Sequence, residues 1–192
     1  MRQSASETKL PHVERDYLRP DEANAVITAA GQVGRNPLRD QVLLRLMYRH
    51  GLRASETRHV KWTDFDLDSE RSFHVRRLKG SNDSTHRLDR DEVSALRKLR
   101  DKARGDLYVF VSERGAPLSP DMIARIVQRA AEAAGLGFHV HPHMLRHSAG
   151  YMLANTGTDT RLIQDFLGHK NIQNTVRYTQ LSAQRLAHVR VR

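Results

Sequence analysis

The run HPHMLRHSAGYMLANTGTDTRLIQDFLGHKNIQNTVRY, residues 141–178, decides how the chain is read. Pro142 is a helix-starting residue, and helical spacing continues from Met144 to Ala154. Further helices are predicted over Asp159–Leu167 and Ile172–Tyr178, with another over Ser182–Val189. His143 and Arg146 stand three residues apart, so on a helix they address the same ligand. Arginine offers a planar fork for phosphate oxygens, and histidine donates or shuttles a proton near neutral pH. Leu167-Gly168-His169 is followed, nine residues after the histidine, by Tyr178. A tyrosine in so basic and histidine-rich a setting is a candidate phosphate nucleophile, because neighbouring cations stabilise its phenolate. A rival reading takes His139, His141 and His143 as alternating metal ligands on a strand. Pro142 and the helical pattern that follows argue against it, and no cysteine or carboxylate cluster completes such a site.

Working outward, the stretch upstream supplies the rest of the charge. Gly51-Leu52-Arg53-Ala54-Ser55-Glu56 sets an arginine just after a helix stop, with a glutamate three residues on. Guanidinium and carboxylate then share one side of a turn. Before it, Pro20 and Pro37 each open a helix, and Leu38, Val42, Leu43, Leu46 and Met47 form the apolar face of the second. A short third helix is expected over Ser55–Val60. From Arg71 the period changes: Ser72–Leu78 and Thr85–Leu88 read as strands around a Gly80–Ser84 turn. Asp89 with Glu92 suggests a capping box opening a basic helix to about Arg104, and Leu107–Val111 a further short strand. Ser119-Pro120 starts a helix carrying Met122, Ile123, Ile126 and Val127. The fold class is therefore α+β, mainly helical, with a small antiparallel sheet.

Composition narrows the function. The 192 residues include 32 Lys and Arg against 22 Asp and Glu, a formal charge of +10, and no cysteine. Disulfides, thiolate metal sites and cysteine nucleophiles are thereby excluded. No apolar run is long enough for a membrane span. A strongly basic domain expects a polyanionic partner, nucleic acid above all. Arg71, Arg76, Arg77, Lys79, Arg87, Lys98, Arg100 and Lys102 are candidates to follow its phosphate backbone.

Taken together, R-x-x-E, H-x-x-R, L-G-H and a tyrosine nine residues further resemble the catalytic domain of the tyrosine recombinase (phage integrase) family, over roughly residues 18–180. The resemblance implies that Arg53 and Arg146 clamp a scissile phosphate and that Tyr178 is the nucleophile. It further implies that His143 assists proton transfer at the tyrosine, that His169 donates to the phosphate and that Glu56 supports the first arginine. Lys79, in Leu78-Lys79-Gly80, matches the hairpin lysine that protonates the leaving oxygen. No cofactor and no metal are implied. The expected activity is site-specific cleavage and rejoining of double-stranded DNA through a 3′-phosphotyrosine, with integration, excision or inversion as outcomes. Expected partners are DNA, three further copies in a tetramer and accessory DNA-bending proteins. The expected location is the bacterial cytoplasm, at the nucleoid.

Most members carry a further DNA-clasping domain ahead of the catalytic one, and only a polar stretch precedes it here. Residues 1–17 are read as a flexible tail, 18–181 as the catalytic domain, and 182–192 as a tail or helix that docks on a neighbouring subunit or packs on its own chain. The chain most resembles the short fimbrial phase-variation inverters and is read as naturally short, partly because it starts at Met1. Two other readings stay open: a catalytically silent DNA-binding regulator of the same fold, and a tyrosine-based topoisomerase.

Overall fold

The computed structural model describes residues 15–78, 82–103 and 105–180. These form α1 (Pro20–Ala30), α2 (Pro37–His50), α3 (Ala54–Thr57), a 3-10 turn (Trp62–Asp64), β1 (Phe65–Asp66), β2 (Ser72–Val75), β3 (Ser84–Arg87), α4 (Arg90–Arg100), α5 (Pro120–Ala133), α6 (Pro142–Asn155), α7 (Thr160–Leu167) and α8 (Gln173–Gln180). Proline at the first turn starts α1, α2, α5 and α6, where its missing N–H costs nothing. Side chains cap two others: Asp159 accepts from the Arg161 N–H at 2.8 Å, and Glu92 accepts from the Asp89 N–H at 3.0 Å.

Helix α2 is the axis of the molecule. Leu43, Leu44, Leu46 and Met47 are fully buried, and α1, α4 and α6 pack around them. A second cluster joins Ala149, Tyr151 and Ala154 of α6 to Ile163 and Leu167 of α7 and Tyr178 of α8. The sheet is antiparallel, ordered β1-β2-β3, with Phe73 opposite Phe65 on one side and His86 on the other. Among the described residues no helix is long and apolar enough to cross a membrane.

Several expectations shift in detail. The first predicted strand stops at Val75, the third helix spans only Ala54–Thr57, and α4 ends at Arg100. Leu107–Val111 makes two isolated bridges, Lys61 to Tyr108 and Val111 to Pro117, in place of a strand. Strand β1 was not foreseen, since two residues carry no periodic signal. Residues 15–17, read as tail, are packed: Arg15 donates to Glu22 at 2.8 Å, and the Tyr17 ring lies 4.1 Å from that of Tyr151. Residues 1–14 of that tail and the helix expected over 182–189 lie outside the described residues, as does Lys79 with its turn.

Candidate active site

Helix α2 ends at Gly51, whose φ of +60° is left-handed and turns the chain so that Arg53 caps α3. One turn later Glu56 is buried, and its carboxylate gathers cations. Its Oε2 accepts from the Arg53 backbone N–H at 2.9 Å, and its Oε1 from the Arg53 guanidinium. Arg77 donates to the same carboxylate at 2.9 Å, and Arg146 stands 3.9 Å from it.

Arg146 descends from α6 and donates to the Gly51 carbonyl and, at 2.7 Å, to the Leu167 carbonyl. Arg77 reaches the Gly51 carbonyl too, at 3.3 Å, along with those of His50 and Phe166. The end of α2 and the end of α7 are thus tied together by two buried arginines. Three guanidinium groups share one carboxylate, so two positive charges in this cluster have no anionic partner within it. The strain is legible in the acid–base behaviour. Burial, then the fields of Arg53 and Arg77, push Arg146 down to about 9. Burial opposes the charge of Glu56, yet Arg77, Arg53 and Arg146 hold its carboxyl below the usual range.

Tyr178, on α8, is 1% exposed. Its hydroxyl is 2.8 Å from Nδ1 of His147, and its ring stacks near His169 at 6.1 Å and edge-on to Tyr151 at 5.0 Å. Burial raises its pKa above the ordinary phenol value, against the pull of Arg146 and Arg177. His169 follows the left-handed Gly168 that closes α7, and its Nδ1 lies 2.8 Å from the Thr175 hydroxyl. Burial and then the three arginines push it down to about 3, so the ring is neutral at physiological pH. Beside it opens a hollow of about 420 Å³ lined by Asn82, Arg161, Gln164 and Lys170. A larger hollow of about 700 Å³ near Pro37, Trp62 and Tyr108 contains none of the candidate residues.

The structure therefore brings Arg53, Glu56, Arg146, His169 and Tyr178 into one neighbourhood. His143 sits exposed on the first turn of α6, and the histidine in hydrogen-bond contact with the phenol is His147, one turn further along. Arg77 is a correction: counted among the surface arginines that follow a phosphate backbone, it is buried at 6% exposure on Glu56. Its signal was available, since Phe73 and Val75 point inward and alternation carries Arg77 to the same face. His147 carried a signal as well, four residues before Tyr151 on the face of α6 that meets Tyr178. The rings of His139, His141 and His143 are spaced 6.2 Å apart in sequence, and Pro142 puts them on a loop and a helix start instead of a strand. Among the described residues one acidic trio, Asp89, Asp91 and Glu92, has ligand-like spacing, but the Arg49 guanidinium lies against all three.

Comparison with known proteins agrees with this geometry. Residues 16–185 match the Phage integrase family. The type 1 fimbriae regulatory protein FimE of Escherichia coli K12 is 42% identical over 181 residues, covering 91% of this chain and 90% of that one. The tyrosine recombinase XerC of Bacillus pumilus is 36% identical over 152 residues, or 75% of this chain and 50% of its own. Among solved structures, the XerA recombinase superposes with a TM-score of 0.79 at 30% identity, over 95% of this chain and 68% of that chain. With the matched segment spanning every element from α1 to α8, the chain belongs to the phage integrase family, and its fold is that of a tyrosine recombinase.

Proposed function

We propose that the protein is a site-specific DNA recombinase that cleaves and rejoins strands through a phosphotyrosine on Tyr178. One observation carries this: a cluster with two surplus positive charges lies beside a buried tyrosine whose hydroxyl is held by a histidine. A DNA phosphodiester is an anion that would balance the cluster and present phosphorus to that hydroxyl.

On this reading Arg53 and Arg146 hold the non-bridging oxygens, where negative charge grows in the transition state. Donors already fixed in place spend nothing on reorganising during reaction. Glu56 and Arg77 position them from behind. A neutral His169 that accepts from Thr175 at Nδ1 carries its proton on Nε2, which supplies a further donor to the phosphate. Lys79 protonates the departing 5′-oxygen, and the exposed His143 meets DNA from the first turn of α6. One phosphodiester replaces another, so no energy source is consumed. Exchange between two duplexes breaks four strands and needs four tyrosines, so the active assembly is a homotetramer on double-stranded DNA. Accessory DNA-bending proteins shape the synapse.

The test is capture of covalent adducts from genomic DNA fragments flanking the gene. Wild-type protein is expected to yield an adduct, and Tyr178→Phe to yield none while binding the same DNA. An adduct formed by the Phe variant overturns the assignment.

A further inference from the structure

Resting on that reading of Tyr178, we propose that His147 is a second catalytic residue: its Nδ1 takes the phenol proton as the tyrosine oxygen attacks phosphorus, and Asp16 steadies the imidazolium that forms. His147 Nδ1 is 2.8 Å from the phenol oxygen, within reach for direct proton transfer. The two rings are 5.9 Å apart and inclined by 50°. On the opposite side of the imidazole, the Asp16 carboxylate stands 4.0 Å from Nε2. Asp16 is itself fixed by an ion pair with Arg177, the residue before the tyrosine. The neighbouring Tyr17 ring packs on Tyr151, which packs on Tyr178. The imidazole thus has the hydroxyl at hydrogen-bond distance on one side and a carboxylate at ion-pair distance on the other, and a base supported by a carboxylate activates hydroxyl nucleophiles on unrelated folds.

Protonation states suit the role. Burial pushes His147 down to about 4, against the pull of Asp16, so its ring is neutral and can accept. The groups facing it are Asp16 from the N-terminal segment, Arg177 and Tyr178 from α8, His143 and Arg146 from α6, and His169 ahead of α8. A DNA phosphate entering among these cations offsets their repulsion and raises the basicity of the ring when it is needed. The step balances. The bond from the Tyr178 oxygen to phosphorus forms as the bond from phosphorus to the 5′-oxygen breaks. The phenol proton moves to Nδ1, and the 5′-oxygen departs as a hydroxyl with the proton from Lys79. In the rejoining step His147 returns its proton to the phenol.

The experiment measures single-turnover cleavage of a nicked suicide duplex made from the DNA captured by wild-type protein. His147→Gln keeps a hydrogen-bonding amide without a basic nitrogen, and is expected to cleave roughly 100-fold or more slowly with DNA binding unchanged. Replacing Tyr178 with a fluorinated tyrosine of lower phenol pKa is expected to recover at least about tenfold in His147→Gln and much less in wild type. A variant that cleaves within about threefold of wild type, or that gains no more from fluorination than wild type does, overturns the proposal. Asp16→Asn, at an exposed carboxylate, checks it independently of the variant's folding. The acid limb of its cleavage profile is expected to move to lower pH, and an unmoved limb overturns the role of the pair. None of these outcomes depends on the adduct test of Tyr178→Phe, which decides the nucleophile separately.

Discussion

Glu56 is the residue on which the cationic cluster depends. Its carboxylate is 1% exposed and makes ion pairs at 2.9 Å with Arg77 and at closer range with Arg53. Removing one partner of a buried ion network leaves the others uncompensated, which costs about 3 kcal/mol or more. Glu56→Gln is therefore expected to lower the unfolding free energy by about that amount in urea titrations. The same variant should cleave poorly, because Arg53 and Arg146 lose their common support. Because the folded protein holds this carboxyl below its ordinary range, its contribution is intact at neutral pH and is lost as pH falls through the folded value. At this scale the sequence was informative wherever partners are close along the chain. Arg53 and Glu56, or His143 and Arg146, are three apart, and helical geometry alone relates them. The convergence of Arg77 on Glu56 spans 21 residues and a sheet, and only folding reveals it.

Among the elements, α6 bears the heaviest load: Arg146, His147, Gly150 and Tyr151 all lie on it. At Gly150 the helix has no side chain because Tyr178 occupies the space; an added Cβ would sit 2.6 Å from the tyrosine ring. Alanine is intrinsically the better helix residue by about 1 kcal/mol. Here overpacking dominates, so Gly150→Ala is expected to destabilise by roughly 1–3 kcal/mol and to reduce adduct yield by moving the phenol. A stabilised variant with normal adduct formation would show that α8 gives way freely. The helices themselves were readable because proline marks the starts of α1, α2, α5 and α6, and Gly51 and Gly168 mark the ends of α2 and α7. Strand β1 was not, since Phe65 and Asp66 are ordered by pairing with Phe73 and Ser72 and by no pattern of their own.

For the molecule as a whole, the balance of +10 announced a polyanion but hid how unevenly charge is buried. Three histidines are held far below their ordinary value: burial pushes His86 and His169 to about 3 and His147 to about 4. The unfolded chain takes up these protons near pH 6.5, and the folded one only well below that. Stability is therefore greatest above pH 6.5 and falls on acidification, by about 1.4 kcal/mol per pH unit for each ring fully engaged. Urea midpoints between pH 7.5 and 5 are expected to drop steeply. A flat profile would mean that these rings are readily protonated in the native state.

Tyr178, at 1% exposure, also bears on when the protein is dangerous to its host. If Tyr178 is the nucleophile proposed above, the free molecule keeps it covered, and DNA met in passing is expected to stay unbroken. On the proposed path the phosphate has to gain access to the phenol with its contact to His147 kept, and DNA that cannot gain it stays uncut.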